Sequence, residues 1–180
     1  MRVFIQGELG SFSHQAAKRL VRGASVVCCP TFAAVFEGVA RGGAGVVPVE
    51  NTLTGPIREV ARLLRAREVL IQEELQLRIA HCLIASPGVR FGDVRRVLSH
   101  PVSLDQCRKF FRRNPRLKAV SFYDTAGAVR HIVGKKMKAA AAIAGAAAAK
   151  AYGARILRRN LGDTPRNFTR FLLITSSEGT

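Results

Sequence analysis

Short β-branched runs recur along this chain with helical patterns between them, and that alternation limits the fold more than any other feature of the sequence. The runs "VFI" (3–5), "SVVCC" (25–29), "GVVPV" (45–49), "RVLSH" (96–100) and "FLLIT" (171–175) are the strand candidates. Between them, Phe32, Val35, Phe36 and Val39 share one helical face behind a Thr31 cap, and Val60, Leu63 and Leu64 share another. An α/β chain with largely parallel sheets and flanking helices is the expected class. The segment 69–85 is a long strand-rich stretch at mid-chain, and the last strand returns only after residue 168. That layout predicts two lobes: residues 1–76 with 165–180, and residues 77–164. The alanine run 139–149 is apolar but is interrupted by Gly145 and falls well short of a bilayer span of roughly 20 residues. It is expected to be a small-residue helix packed against a sheet.

The 180 residues, 48% of them hydrophobic, suffice for a sizeable core. A net charge of +17 suits nucleic acid, a membrane surface or a small polyanion. The basic residues are spread along the chain, with no Trp and only two Tyr to serve as stacking platforms, which argues against nucleic acid. Cys28, Cys29, Cys82 and Cys107 show no metal-binding spacing, and an adjacent-pair disulfide would be strained, so free buried thiols are expected. The opening "VFIQGELGSF" reads as a strand and a glycine turn rather than a signal peptide, giving a cytoplasmic protein with no membrane association.

Several strand candidates end in the same way. "GELGSFSHQAA" (7–17) places two glycines and two serines before a helix, where unpaired backbone N–H groups can receive an anion. "PVENTLTGPI" (48–57) ends in Gly55-Pro56, a helix start. Ser99-His100-Pro101 opens another helix, with Gln106 one turn further in. Three helix starts at the carboxyl ends of strands favour a ligand with more than one carboxylate or phosphate. "NFTRF" (167–171) then sets polar residues at the mouth of the last strand. With the backbone extended there, Thr169 and Phe171 point one way and Arg170 the other. Arg170 can anchor an anion or form a salt bridge with Glu50. Taken alone, Thr169 would be an ordinary strand residue, Asn51 a turn former, Ser11 and Ser13 helix caps or ligands, and Gln106 a surface amide or a site donor. His81 and His100 read as packed or surface residues, with no metal-ligand partner at a suitable spacing.

The ordered motifs "GELGSFSHQAA", "VVPVENTLTG", "HCLIASP", "VLSHPVSLDQC", "AAIA", "YGARIL" and "NFTRF" resemble the catalytic domain of prephenate dehydratase, from about Phe4 to Ile174. The resemblance implies a two-lobed fold similar to type II periplasmic binding proteins, with the site between the lobes. It implies a carbon–oxygen lyase that decarboxylates and dehydrates prephenate to phenylpyruvate in phenylalanine biosynthesis, without cofactor or metal. It places Thr169, Asn51 and Gln106 in the catalytic role and Ser11, Phe12, Glu50, Thr52, Ser99 and Arg170 around substrate. A homodimer is the expected assembly. Two departures keep a hydroxyl: Ser11 and Thr52 stand where the family usually has threonine and serine. Val102 replaces an amide. The family commonly continues into a phenylalanine-binding regulatory domain, and the ten or so residues after the TRF motif are too few for one. A prephenate decarboxylase, an arogenate dehydratase and a non-enzymatic dicarboxylate-binding module are the other readings.

Overall fold

The computed structural model describes residues 1–177. It divides into two compact units, one built from Met1–Glu8, Phe12–Ile79 and the segment from Arg166 onward, the other from Leu9–Ser11 and Ala80–Pro165. The first unit takes up β1 (Arg2–Gln6), α1 (Phe12–Leu20), β2 (Ser25–Cys29), α2 (Phe32–Ala40), β3 (Ala44–Asn51), β4 (Gly55–Pro56), α3 (Arg58–Ala66) and β5 (Val69–Arg78). The second holds β6 (Cys82–Ala85), a 3-10 turn at Phe91–Asp93, β7 (Arg96–Ser99), α4 (Pro101–Asp105), α5 (Arg108–Arg113), β8 (Lys118–Ser121), α6 (Thr125–Gly134), β9 (Ala140–Ala144), α7 (Ala146–Ala151) and β10 (Arg155–Arg158). The chain then returns to the first unit with β11 (Phe168–Ser176).

The strands of the first sheet run in the order β2-β1-β3-β11-β5, with β4 paired to β3. Its first three strands are parallel, with β1 between β2 and β3, whereas β11 is antiparallel to both β3 and β5. Both faces of its central strands β1, β3 and β11 are packed, which is why they read as apolar runs, whereas the edge strand β5 is mostly exposed. Along β11, Phe171 and Leu173 pack with Val3, Ile5 and the alanines of α1, while Leu172 and Ile174 pack with Val35, Phe36 and Val39 of α2 and Val60 and Leu63 of α3. Each large side chain buried this way contributes roughly 1.5–3 kcal/mol. Gly38 is required by the same packing, because a Cβ there would stand 2.5 Å from the Phe4 ring.

The second sheet, ordered β10-β6-β9-β7-β8, is also mixed: β7 is parallel to β8 and β9, and β6 is antiparallel to β9 and β10. Both sheets thus combine the expected parallel strands with antiparallel ones. In each unit a strand reached by a long excursion of the chain closes onto strands already laid down.

The alanine run is not one helix. Ala140–Ala144 is the central strand β9, all five residues buried, and Gly145 breaks the run before the short α7. Alanine is a good helix former, but packing outweighs propensity here. Ala140, Ala142 and Ala144 meet Ala126, Ala128, Val129 and Ile132 of α6 on one face, and Ala141 and Ile143 enter the core on the other. Larger side chains on β9 would hold α6 away. The stretch 69–85 likewise forms two strands, broken at residues 79–81. Gly55 and Pro56 lie in β4 rather than starting a helix; Gly55 takes a positive φ of 78° and α3 begins at Arg58. Cys29, Cys82 and Cys107 are buried free thiols, but Cys28, on edge strand β2, is exposed.

Candidate active site

The mouth of the first sheet is shaped by a proline. Pro48 has no N–H to give to a ladder, and it lies past the β1 pairing, which reaches β3 only as far as Val46. Opposite it the register of β11 jumps: Phe171 pairs with Pro48, but Arg170 pairs with Glu50, leaving Val49 as the extra residue. The Val49 carbonyl is satisfied instead by the backbone N–H of Ile57, at 2.9 Å. Such a bulge re-aims the residues beyond it. Here it sets Asn51 directly across from Thr169.

Both residues are nearly buried, Asn51 at 8% and Thr169 at 7% exposure, and Asn167 beside them is at 2%. The carboxamide of Asn51 is held at both ends. Its Oδ1 accepts from the backbone N–H groups of Leu53 (3.0 Å) and Thr54 (3.2 Å), closing the turn after β3. Its Nδ2 donates to Asn167 Oδ1 at 2.8 Å, to Thr169 Oγ1 at 2.9 Å and to the Phe168 carbonyl at 3.0 Å, two protons shared among three acceptors. An amide nitrogen cannot accept, so the Thr169 hydroxyl receives a hydrogen bond from Asn51 and keeps its own proton to give. Among the described residues that proton has no acceptor. Thr52 fastens the approach to this motif: its hydroxyl accepts from Phe168 N–H at 3.0 Å and donates to the Arg166 carbonyl at 3.2 Å, while its own N–H donates to the Phe168 carbonyl at 2.9 Å.

Arg170 points the other way, as strand periodicity requires. Its guanidinium lies 3.5 Å from Glu50 Oε2 and 3.1 Å from Glu74 Oε2, so three neighbouring strands are tied by one cation on the half-exposed side of the sheet. At this exposure each pair contributes about 0.2–1 kcal/mol. The geometry matches the salt-bridge alternative for Arg170 and gives Glu50 a cationic partner. Phe12, at the start of α1, is partly buried against the core of the first unit.

In the second unit, Ser11 is 7% exposed and directly precedes α1 in the chain. Its neighbour Gly10 takes a φ of +82° and packs so tightly on α7 that a Cβ would fall 2.6 Å from the Ala148 Cα. Ser99 is fully buried, and its hydroxyl donates to the Ile143 carbonyl at 2.6 Å, continuing in side-chain form the β7–β9 ladder that ends at Leu98. His100 caps α4, its Nδ1 accepting from Val102 N–H at 3.3 Å, with Pro101 in the first turn. Gln106 is not within a continuous helix as expected: it is the C-cap of the five-residue α4, at the break before α5. Its Oε1 is 2.8 Å from Nε2 of the buried His81.

The structure therefore brings Asn51, Thr52 and Thr169 together in one unit, with Glu50 and Arg170 on the reverse side of the same strands. Asn167 belongs to the cluster and was missed as a site residue. Its position two residues before Thr169, on the side-chain period of a strand, was the available signal.

The family model for prephenate dehydratase matches residues 3–179. The chain belongs to that family. Among curated relatives, it is 38% identical over 176 residues to arogenate dehydratase 2 of Petunia hybrida, covering 97% of this chain and 44% of the relative. It is also 38% identical to the chloroplastic arogenate dehydratase/prephenate dehydratase 2 of Arabidopsis thaliana, covering 97% and 46%. The chain thus spans less than half the length of these relatives. Among solved structures, the prephenate dehydratase of Arthrobacter aurescens in complex with L-Phe superposes with a TM-score of 0.90 at 25% identity, over 99% of this chain and 61% of that one. A protein described as GqqA, a novel type of quorum quenching acylase, superposes with a TM-score of 0.89 at 32% identity, over 100% and 66%. Family membership accords with the mixed α/β fold of two sheets seen here.

Proposed function

We propose that this chain catalyses the decarboxylation and dehydration of prephenate to phenylpyruvate, CO2 and water, a step of phenylalanine biosynthesis. The observation that carries the reading is the Asn51 to Thr169 hydrogen bond, which leaves a buried hydroxyl with a proton to give. In the reaction the bond from the ring to its carboxylate breaks, the electron pair enters the ring, and the ring hydroxyl departs from the opposite carbon. Aromaticity makes the step downhill, so the protein has only to orient the substrate and protonate the leaving oxygen. Thr169 donates toward that oxygen, the proton consumed overall comes from solvent, and Asn51 holds the threonine oxygen in place from the other side. Asn167 and Thr52 hold the motif. Arg170, paired to Glu50 and Glu74, braces the strands behind it. On the resemblance, Gln106 is assigned to the catalytic role with Thr169 and Asn51, and Ser11, Phe12 and Ser99 to substrate binding.

Acyl transfer by a threonine nucleophile would need a base to take its proton. Asn51 gives a hydrogen bond to Thr169 and cannot do that, so the cluster suits proton donation. Arogenate is the second reading for the substrate, favoured by the names of the petunia and Arabidopsis relatives. Incubating the chain with prephenate and with arogenate and identifying the products tests both. Phenylpyruvate from the first or phenylalanine from the second is expected. A non-aromatic keto acid, the decarboxylase outcome, or no turnover with either substrate would overturn the dehydratase reading.

The same reading gives a cytoplasmic enzyme, to be checked by fractionation of the source cells, where recovery in an organelle would count against it. It also gives a homodimer, in which a twofold contact covers apolar surface. Sedimentation at micromolar concentration should show two chains per particle; a monomer would refute the dimer.

A further inference from the structure

The buried imidazole of His81 is used by none of the chemistry above. We propose that His81 is a positioning residue: its Nε2–H fixes the side-chain amide of Gln106 so that the NH2 end, not the carbonyl, is the end turned toward substrate. This rests on the dehydratase reading and on Gln106 acting at the substrate, and it concerns the second unit alone.

Three observations support it. His81 is 1% exposed, between β5 and β6, and its backbone carbonyl accepts from Leu161 N–H at 3.0 Å, so its main chain is held and its ring is enclosed. Its Nε2 lies 2.8 Å from Gln106 Oε1. A carbonyl oxygen only accepts, so the hydrogen between them belongs to Nε2. Burial lowers the pKa of this histidine and favours the neutral ring, in which a hydrogen on Nε2 selects one tautomer.

The backbone of Gln106 is held just as firmly. Its N–H donates to the Val102 carbonyl at 3.0 Å, and its carbonyl accepts from Asp163 N–H at 2.7 Å. Asp163 is clamped in turn: its Oδ1 accepts from Lys109 N–H at 2.8 Å and its carbonyl from Lys109 Nζ at 3.1 Å. With the main chain fixed, the two ends of the amide are the remaining choice. They are nearly isosteric and opposite in hydrogen-bonding sense, and a fixed donor on one side selects the carbonyl as the end that faces it. A donor facing outward suits a substrate rich in carboxylate oxygens.

The test compares His81→Leu, which removes the donor but fills the space, His81→Gln, which restores a side-chain N–H at a similar reach, Gln106→Leu and the His81→Leu/Gln106→Leu double variant. The readouts are kcat, KM, thermal midpoint and the 15N tautomer signature of the imidazole. Gln106→Leu and His81→Leu should each lower kcat/KM by about 10- to 100-fold, the size of one hydrogen bond to a charged group. His81→Gln should recover most of that loss, and the double variant should be no slower than Gln106→Leu alone. The spectrum of the unmodified protein should show hydrogen on Nε2.

The proposal is overturned if His81→Leu costs the same factor in the Gln106→Leu background, if it lowers only the thermal midpoint, or if the ring carries its hydrogen on Nδ1. A Gln106→Leu variant as fast as the parent also removes it, while parent turnover would leave the dehydratase reading intact. If the parent turns over neither prephenate nor arogenate, the functional reading fails by itself and the tautomer still decides the orientation of the amide.

Discussion

Replacing Thr169 by valine lowers kcat by about 10²-fold or more, with a much smaller change in KM. Valine keeps the β-branched shape that suits β11 and removes only the hydroxyl. The loss in stability should be small, on the order of 1 kcal/mol. The two N–H groups of Asn51 still have two acceptors, Asn167 Oδ1 at 2.8 Å and the Phe168 carbonyl at 3.0 Å. A large kinetic effect on a nearly normal fold is what a proton donor predicts and a packing residue does not. Arg170→Ala is the control from the next position. Its guanidinium makes partly exposed ion pairs with Glu50 and Glu74, so the change should cost about 1 kcal/mol of stability and alter kcat far less than Thr169→Val. Steady-state kinetics and thermal melts of both variants check this. Near-normal turnover of Thr169→Val would remove Thr169 from the chemistry.

The elements of this fold that were legible in the sequence are those whose burial shows as pattern. The continuous apolar run of β11 marks a strand covered on both faces, and the spacing of Val35, Phe36 and Val39 marks the buried face of α2. Ala140–Ala144 was not legible, because alanine carries almost no period and strand or helix is decided there by how closely α6 approaches. The break at Gln106 was hidden for a similar reason: nothing local to 101–113 shows that its carbonyl is captured by Asp163, more than fifty residues on. At the site, strand periodicity separates Thr169 from Arg170 without any structure. The bulge that brings Asn51 opposite Thr169 depends on Pro48 meeting an antiparallel partner, and pairing across so long a separation leaves no local trace. In the sequence His81 reads as a packed or surface residue. Its burial selects the packed alternative, but its hydrogen bond to Gln106 is visible only in three dimensions.

Asn51→Asp tests the other half of the site, because it changes the hydrogen-bonding sense of one side-chain end and almost nothing else. The oxygen facing the turn can go on accepting from Leu53 and Thr54 N–H. The second oxygen replaces a nitrogen that donated to Asn167 Oδ1, the Phe168 carbonyl and Thr169 Oγ1, all within 3.0 Å, so a buried carboxylate would face oxygens. The Thr169 hydroxyl relieves this by turning its proton onto the new carboxylate, which takes that proton away from the substrate. Activity should therefore fall by at least as much as in Thr169→Val. Stability at neutral pH should fall by roughly 2–4 kcal/mol, since a buried donor is replaced by a charge that gains one hydroxyl donor and still faces two acceptor oxygens. The pH dependence follows from which state binds the proton more readily. A carboxyl crowded by oxygens is protonated more easily in the folded chain than in the unfolded one, so its folded pKa is raised. Its penalty is then smallest below the unfolded pKa and grows as pH rises through the folded value. Denaturant melts of the variant and the parent at about pH 5 and pH 8 should show the gap between them widening at the higher pH. A gap of equal size at both would mean that the new carboxylate is as well paired as the amide it replaced, and that the Asn51 amide is not the fixed donor on which the role of Thr169 depends.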